Sequence, residues 1–305
     1  MHNRKKSEAA RTEEQEKLVE RKKVAYNGLS SQVLERRANG EQSVEVMALT
    51  EQLIRVNPDF YSVWNYRREI LLGLHAEIGL TEAVPEEKLQ SDAAIAVRNF
   101  ELNLSSAGIK KNPKSYGAWH HRQWILTRII PDLEAELDLC QQFLKADQRN
   151  FHCWNYRRYL VSIGGVRSDS EIEFSTLKIE ENFSNYSAFH HRSVYIRQFE
   201  VAVPELIEQE MSIVESAIFT DPFDQSAFWY YQVWGAESVE KDSAVLDWYK
   251  EFLQTQVVLL ESLLEVEERS KWALVALVET IQRQLAARSA EEDTTAETAK
   301  IQEYL

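Results

Sequence analysis

The sequence predicts an all-α protein built as a curved α-solenoid of helical hairpins. Three observations support this fold class: a composition rich in helix formers, a motif that recurs about every 35 residues, and amphipathic stretches upstream of the motif. A single hairpin cannot bury its apolar face alone, whereas stacked hairpins share one continuous core.

The composition favours helices over strands. The 305 residues include only 9 Gly and 6 Pro, too few for an all-β protein with many tight turns. Glu, Leu, Ala, Arg and Gln, which are good helix formers, dominate long stretches. A chain of this length with 44% hydrophobic residues is able to bury a substantial core.

A twelve-residue motif recurs five times and is the main signal in the sequence. Its copies are Asn57–Arg68, Asn112–Gln123, Asp147–Arg158, Asn182–Ser193 and Asp221–Gln232. The copies align on an aromatic residue: Trp64, Trp119, Trp154, Phe189 and Phe228. Successive aromatics are 55, 35, 35 and 39 residues apart, so the basal period is that of one helical hairpin.

Each copy of the motif also predicts how its residues are used. The Asn or Asp that opens the motif is expected to cap a helix and start it. Four copies place an arginine three positions after the aromatic: Arg67, Arg122, Arg157 and Arg192. We expect the aromatic to fill the groove between hairpins and the arginine to stack on it or bond loop carbonyls. A degenerate sixth unit is expected around Trp272.

The repeats divide the chain into three predicted regions. Residues 1–40 form an N-terminal helix and extension, with one long helix over Thr12–Arg37. Residues 41–285 form the hairpin-repeat domain. Residues 286–305 form an acidic tail, expected to be a frayed helix or disordered.

Charge and cysteine content exclude several classes of function. A net charge of −14 and a pI near 5.1 argue against nucleic acid as the main partner, because phosphate binding needs a basic surface. The two cysteines, Cys140 and Cys153, are too few for a disulfide framework or a cysteine-rich zinc site. No apolar run predicts a transmembrane segment, and the first 20 residues lack the apolar core of a signal peptide. A cytoplasmic protein is therefore expected.

The histidines do not predict a metal site within the chain. His120–His121 and His190–His191 are adjacent pairs at the same slot of two repeats, so their side chains diverge around a helix. We expect them to serve repeat packing and loop hydrogen bonds. No H-E-x-x-H, Gly-rich phosphate loop or G-x-S-x-G motif is present.

The repeated pattern Pro-x-x-Tyr-x-x-Trp-x-x-Arg resembles the repeat of protein prenyltransferase α subunits. The resemblance extends from about Asn57 to Trp234, and its five copies make it specific. Within the family, the sequence is most similar to the α subunits of Rab (type II) geranylgeranyltransferases. The segments that carry this similarity are NPKSYGAWHHR, DQRNFHCWNYRR, NFSNYSAFHHRS and DPFDQSAF. The resemblance implies a right-handed superhelix of helical hairpins.

The resemblance also implies a non-catalytic subunit that works with a partner. In the family, the α subunit surrounds a β subunit shaped as an α–α barrel, which holds the catalytic zinc and the isoprenoid pocket. Geranylgeranyl diphosphate then alkylates C-terminal cysteines of Rab GTPases, which an escort protein delivers by docking on the α subunit. The expected partners are thus the prenyltransferase β subunit, the Rab escort protein, a Rab GTPase and geranylgeranyl diphosphate. Zinc is expected as a cofactor of the β subunit rather than of this chain.

Lys114 is the residue expected to contribute most directly to catalysis. In the family, the second repeat supplies a lysine that reaches the diphosphate, and Lys114 holds the matching position. The other repeats have no lysine at this slot: Asp59, Arg149, Ser184 and Phe223. A cation at the rim of the pocket stabilises the charge that builds on a leaving diphosphate. The alternative is a solvated lysine at the start of a helix.

Four further residues match functional positions of the family. Tyr116 matches a tyrosine near the same pocket, and packing between repeats is its alternative role. In the third repeat the rim positions fall on Phe151 and His152, and His152 is expected either to hydrogen-bond the diphosphate or to pack at an interface. The start Met-His-Asn-Arg resembles Rab-type α subunits, so His2 is a candidate ligand to the zinc of the partner subunit.

Two other functions stay open at this point. One is the α subunit shared by farnesyltransferase and type I geranylgeranyltransferase, which is similar in architecture. The other is a non-catalytic helical-repeat scaffold that binds peptides on its concave face.

Overall fold

The fold consists of helices throughout the part of the chain that the computed structural model describes, residues 12–74, 91–128, 132–196, 204–235, 243–287, 298–299 and 301–302. Within the described residues up to 287 there are thirteen helices of 11 to 26 residues, and residues 298–299 and 301–302 are also helical. The described ranges contain no strand, which confirms the all-α prediction. The helices are α1 Glu13–Ala38, α2 Val44–Val56, α3 Tyr61–Leu74, α4 Asp92–Lys111, α5 Tyr116–Leu126, α6 Leu133–Ala146, α7 Phe151–Gly164, α8 Ser168–Glu181, α9 Tyr186–Ile196, α10 Pro204–Thr220, α11 Gln225–Gly235, α12 Ser243–Val266 and α13 Lys271–Ala286.

The helices group into two compact units, Met1–Leu139 and Cys140–Leu305, with the boundary inside α6. In the first unit, α2 pairs with α3 and α4 pairs with α5. The first helices of these two hairpins contact each other, and so do the second helices. In the second unit, α8 pairs with α9, α10 with α11 and α12 with α13, and α7, α9, α11 and α13 contact one another in succession. Hairpins stacked in this way within each unit are the architecture of an α-solenoid.

The expected sixth hairpin is present and consists of α12 and α13. Ser270 caps α13 by accepting a hydrogen bond from the backbone N–H of Ala273, as Ser115 caps α5. Leu274 therefore takes the slot of the motif aromatic. Trp272 instead stays partly exposed, with the ammonium of Lys271 4.8 Å from its ring centre.

The prediction that the opening Asn or Asp of each motif starts a helix was wrong. In three copies it is the C-cap of the preceding helix: Asn57, Asn112 and Asn182. In all five copies its side-chain oxygen accepts a hydrogen bond from the backbone N–H two residues later, at 3.0 to 3.2 Å. This hydrogen bond from the backbone to the Asn or Asp side chain forms a turn, which competes with continuation of the helix. Where a proline follows the Asn or Asp, it also disfavours helical backbone at that residue. The next helix begins four residues after the opening residue.

The predicted N-terminal helix is confirmed as α1. Thr12 is its N-cap and forms a capping box with Gln15, in which each side chain accepts from the other's backbone. Helix α1 contacts α2, and Arg37 at its end pairs with Glu69 of α3. Its first turns are largely exposed.

Some predictions fall on residues that the structure does not describe. His2 lies outside the described residues, as does most of the predicted tail 286–305. In the described ranges, none of the helices has both the length and the apolar character needed to cross a membrane.

Candidate functional site

The turn that carries Lys114 is held by hydrogen bonds on both sides. The side chain of Asn112 accepts from the backbone N–H of Lys114 at 3.1 Å. The indole Nε1–H of Trp119 donates to the carbonyl of Pro113 at 2.9 Å. The motif tryptophan thus bonds the loop carbonyl, a role that was predicted for the arginine, because the indole N–H reaches back over the first turn of its own helix.

Ser115 joins this turn to the hairpin before it. Its hydroxyl donates to the carbonyl of Pro58 at 2.8 Å and accepts from the backbone N–H of Ala118 at 3.4 Å. Ser115 is fully buried, so it is an N-cap that also bonds the neighbouring loop. Position 114 is therefore fixed by bonds within its hairpin and to the previous one.

The structure brings Lys114 and Tyr116 together on one exposed loop–helix junction. Both side chains are exposed, and that of Tyr116, the first residue of α5, is 66% exposed. In the described part of the chain, the ammonium of Lys114 has no hydrogen-bond or ion-pair partner. A cation and a phenol on a well-held turn suit contact with an anionic ligand.

His152 occupies the corresponding junction of the second unit and is buried there. It is the second residue of α7, only 6% exposed, and its backbone N–H donates to the side chain of Asn150 at 3.1 Å. Its ring centre lies 3.9 Å from that of Phe151, which is 48% exposed. The burial favours a packing role, and its contact with substrate stays a prediction.

Each motif arginine makes a two-bond ion pair with a buried glutamate of the next hairpin. The pairs are Arg67–Glu101, Arg122–Glu136, Arg157–Glu171 and Arg192–Glu210, with N···O distances of 2.6 to 2.8 Å. In three pairs the remaining guanidinium nitrogen donates to a carbonyl on the first helix of its own hairpin: Met47, Leu102 and Ile172. These arginines are structural, as expected, because each ties two hairpins together. Their partners are buried glutamates and helix carbonyls, so the predicted stacking on the motif aromatic or bonding to loop carbonyls was wrong.

A histidine of the next motif completes two of these pairs. His121 Nε2 lies 2.9 Å from Glu101, and His191 Nε2 lies 2.8 Å from Glu171. Burial lowers the pKa of His121, so the neutral ring donates from Nε2. Burial alone would raise the pKa of Glu101, but hydrogen bonds from His121 and Arg67 outweigh it and lower the pKa to about 2.

Sequence reasoning missed the buried glutamates, although a signal for them exists. Glu101, Glu136, Glu171 and Glu210 each lie 18 residues before the aromatic of the next motif. Glutamate is usually exposed, so its presence in one repeat does not predict a buried residue. The constant spacing in four repeats would have identified them.

The described residues do not form a metal site. Among them, no group of three His, Cys, Asp or Glu side chains is arranged to hold a metal ion. Cys140 and Cys153 are fully buried, and the thiol of Cys153 lies 3.4 Å from the carbonyl oxygen of Cys140. Nε2 of the buried His121 bonds Glu101, and Nε2 of the buried His191 bonds Glu171.

Comparison with known proteins gives a consistent set of relatives. The protein prenyltransferase alpha subunit repeat matches residues 44–74, 99–129, 133–163 and 168–199. These segments coincide with the helix pairs α2–α3, α4–α5, α6–α7 and α8–α9.

The curated relatives include α subunits of the type-2 geranylgeranyl transferase from mammals and yeasts. The geranylgeranyl transferase type-2 subunit alpha of Rattus norvegicus is 39% identical over 246 residues, 77% of this chain and 41% of the relative. That of Schizosaccharomyces pombe is 33% identical over 314 residues, which cover 88% of this chain and 82% of the relative. That of Saccharomyces cerevisiae is 33% identical over 235 residues, which cover 72% of this chain and 67% of the relative. The chain thus matches about two fifths of the length of the mammalian relatives.

A solved structure shows the same fold. A chain of the Candida albicans protein geranylgeranyltransferase-I complexed with GGPP matches with a TM-score of 0.58 and 21% identity. The match covers 92% of this chain and 91% of that chain. At this identity the likeness supports the helical-hairpin fold alone.

Proposed function

Since the chain belongs to the family of protein prenyltransferase α subunits, and within it to the type-2 geranylgeranyl transferase α subunits, we propose that it is the α subunit of a two-subunit Rab geranylgeranyltransferase. The enzyme would transfer geranylgeranyl from geranylgeranyl diphosphate to C-terminal cysteines of Rab GTPases in the cytoplasm. This chain would bind the β subunit, contribute to the diphosphate site and dock the escort protein.

The chemistry assigns a defined task to this chain. The cysteine thiolate of the Rab attacks C1 of geranylgeranyl diphosphate, so a C–S bond forms while the C–O bond to the diphosphate breaks. The diphosphate leaves with the bonding electron pair and gains negative charge. A cation at that place lowers the energy of the transition state more than that of the bound substrate. Zinc is assigned to the β subunit, where a bound metal lowers the pKa of a coordinated thiol.

The exposed ammonium of Lys114, carried on a fixed backbone turn, is the observation that carries the proposal. Lys114 is the lysine that the second repeat places at a motif position without lysine in the other repeats. Its turn is fixed by Asn112, so the backbone at position 114 has little conformational freedom to lose on binding. Tyr116 beside it offers a phenol that is able to donate to a phosphate oxygen.

A repeated exposed aromatic supports partner binding through the second helices. The first residue of each of four second helices is a large exposed ring, 40 to 66% exposed: Tyr61, Tyr116, Phe151 and Tyr186. Aromatic side chains are enriched in protein interfaces and are costly to leave in water. We assign the exposed rings of each unit, Tyr61 and Tyr116 in the first and Phe151 and Tyr186 in the second, to contact with the β subunit.

Copurification with candidate β subunits tests the proposal. The tagged full chain is co-expressed with the type-2 β subunit, and separately with those of farnesyltransferase and type I geranylgeranyltransferase, and analysed by size exclusion. A stable complex with the type-2 β subunit is expected. The complex should prenylate a Rab presented by its escort protein and should leave a C-a-a-X peptide unmodified. A chain that stays monomeric with every β subunit contradicts the proposal and favours a peptide-binding scaffold.

The role of His2 is tested in the same complex. If His2 is an inhibitory ligand to the partner's zinc, His2→Ala changes the zinc coordination seen by X-ray absorption and raises activity at low substrate. Unchanged coordination and kinetics would remove His2 from the proposal.

A further inference from the structure

The sequence Asn-Tyr-Arg-Arg occurs twice, at Asn65–Arg68 in the first unit and at Asn155–Arg158 in the second. The first arginine of each pair is the motif arginine that binds a buried glutamate. The second arginine follows it by one residue and so points about 100° further around the helix. Its surroundings are different, and the proposed function leaves them unexplained.

Arg68 is a buried guanidinium with an unsatisfied nitrogen. It is 8% exposed, and Nη2 donates to the side chain of Asn65. Within the described residues, Nη1 is buried and has no hydrogen-bond partner. The adjacent carboxylate, Glu69, is engaged with Arg37 through two bonds of 2.6 and 3.2 Å. Leaving such a charged donor unpaired is unfavourable, so the arrangement points to an acceptor from another molecule.

Apart from Asn65, Glu69 and the phenol of Tyr61, which bonds the Arg68 side chain, the groups around Arg68 are aromatic or cationic. The ring centre of Trp124 lies 6.0 Å from Cζ of Arg68 and 4.3 Å from Cζ of Arg128. His120 lies beside Tyr61, with 6.3 Å between the ring centres. Burial, and then the positive charge of Arg68, lower the pKa of His120. A local cationic cluster in a chain of net charge −14 is a specific feature rather than an average property of the surface.

The second unit shares part of this arrangement. Nη2 of Arg158 donates to the side chain of Asn155. Burial, and then the positive charge of Arg158, lower the pKa of His190, which holds the motif position of His120. The ring of His190 lies 5.9 Å from that of Trp229, which belongs to the following motif. An arginine bonded to an asparagine of its own helix, with a histidine of the next motif nearby, therefore recurs in both units.

The extent of the first cluster identifies a protein surface as its ligand. Tyr116, His120 and Trp124 follow one another at four-residue intervals along α5, and Arg128 follows at the same interval in the turn after it. The stripe runs about 18 Å from Tyr116 to Arg128, which is longer than a diphosphate. Its combination of rings and guanidinium groups is typical of protein interfaces that receive a carboxylate.

We propose that Arg68 and Arg158 are anchor points for carboxylate side chains of the β subunit, one in each unit, each beside a histidine of the next motif. This inference rests on the proposed function, because it places the β subunit on the surface that begins at Lys114 and Tyr116. A carboxylate would satisfy the free nitrogen of Arg68 and neutralise a buried charge in the assembled enzyme.

Arginine-to-methionine variants of the full chain test the proposal. Arg68→Met and Arg158→Met keep the length of the side chain and remove its charge. Arg55→Met is the matched control, because Arg55 is exposed and pairs only within its helix with Glu51, among the described residues. Affinity for the type-2 β subunit is measured by isothermal titration calorimetry, and Tm of the isolated chain by circular dichroism.

Each anchor variant is expected to weaken binding at least about tenfold, and the control less than about twofold. Tm of the isolated Arg68→Met chain should stay unchanged or rise, because an unpaired buried charge has been removed. Arg68→Lys, which keeps the charge but not the planar fork, should bind with intermediate affinity.

The outcomes separate this inference from the proposed function. If the wild-type chain binds the β subunit and both methionine variants bind equally well, the inference is wrong and the proposed function stands. A loss of affinity that merely parallels a loss of Tm also overturns the inference. If the wild-type chain binds no β subunit, both the inference and the proposed function are wrong.

Discussion

Gly117 lies so close to the indole of Trp64 that no side chain fits at position 117. A β-carbon there would lie 2.4 Å from Cδ1 and 2.8 Å from Nε1 of Trp64. The indole is fully buried and donates to the carbonyl of Pro58 at 2.7 Å, so it has no room to move away. The pair sets the spacing between the first two hairpins, because Trp64 belongs to α3 and Gly117 to α5.

Gly117→Ala is expected to destabilise the chain. The overlap with Trp64 should cost about 1 to 3 kcal/mol of the free energy of unfolding, although alanine is the better helix former. Urea denaturation followed by circular dichroism measures the change. Gly28→Ala is the control, since a β-carbon there meets nothing within 4 Å in exposed helix α1, and it should stabilise by about 0.5 to 1 kcal/mol. Equal stabilisation by both variants would contradict the tight contact.

Glu101→Gln should be strongly destabilising. The substitution removes the counter-charge of Arg67 while the guanidinium stays buried, which costs about 3 to 5 kcal/mol. The measurement is again urea denaturation at neutral pH. Glu51→Gln removes a carboxylate that pairs with Arg55 within one helix at the surface, and should cost less than about 0.5 kcal/mol. Similar effects of the two substitutions would show that the buried pair is not important for stability.

Stability is expected to fall as the pH becomes acidic. The pKa of Glu101 is about 2 in the folded chain against an ordinary 4.5, so the unfolded chain takes up the proton first. Its contribution is present above pH 4.5 and is lost progressively between 4.5 and 2. Burial lowers the pKa of His121 and His191 below 6.5 in the folded chain. The unfolded chain therefore binds these protons first as well, so the free energy of unfolding also begins to fall below pH 6.5.

Urea midpoints measured across this range check the pH dependence. In Glu101→Gln the decline below pH 4.5 should be shallower than in the wild type, because position 101 no longer titrates. A midpoint that is constant from neutral pH down to the acid range would contradict the assignment of Glu101 as an ionised buried group.

Lys114→Met should slow catalysis in the assembled enzyme without affecting assembly. Loss of a cation that stabilises the leaving diphosphate is expected to lower kcat at least about tenfold. Lys114→Arg should retain part of the activity. The measurement is steady-state prenylation of a Rab at saturating substrate concentrations, with size exclusion to verify the complex. Lys110→Met, at an exposed position of α4 in the same unit, is the control, and a kcat equal to that of Lys114→Met would exclude the proposed role.

Both cysteines should be unreactive in the folded chain. Cys140 and Cys153 are fully buried, and the neighbouring Cys140, followed by burial, raises the pKa of Cys153 well above its ordinary value. Neither thiol should be alkylated by iodoacetamide near neutral pH, and both should react in urea. Mass spectrometry of the alkylated peptides gives the result, and rapid native alkylation of Cys153 would show that its environment is open.

The hairpins and the position of Lys114 were predictable because their signals are local and repeated. An aromatic and an arginine three residues apart share a helix face wherever they occur in a helix, so their recurrence in four of the five motif copies predicts stacked hairpins. The position of Lys114 within the motif was identified by aligning the five copies. The start of each second helix was misplaced, since Asn57 and its counterparts bond the backbone two residues on rather than opening a helix.

The partners of the buried charges were not predictable from one copy of the motif. Arg67 and Arg68 are neighbours of the same residue type, yet one is neutralised by Glu101 and the other is clasped by Asn65 with a nitrogen left unsatisfied. His120 and His121 differ in the same way, since the first is exposed and the second is bonded to Glu101.

From its sequence alone, this protein is recognisable as an array of helical hairpins with one distinctive lysine, because helix periodicity and repeat spacing depend on residues close along the chain. Which glutamate neutralises which arginine, and which arginine remains available to a partner, depended on how neighbouring hairpins pack. A rotation of about 100° between consecutive helical residues sends identical side chains to opposite environments. The neighbouring hairpin then determines whether a side chain is buried beside a carboxylate or left unpaired beside an aromatic ring.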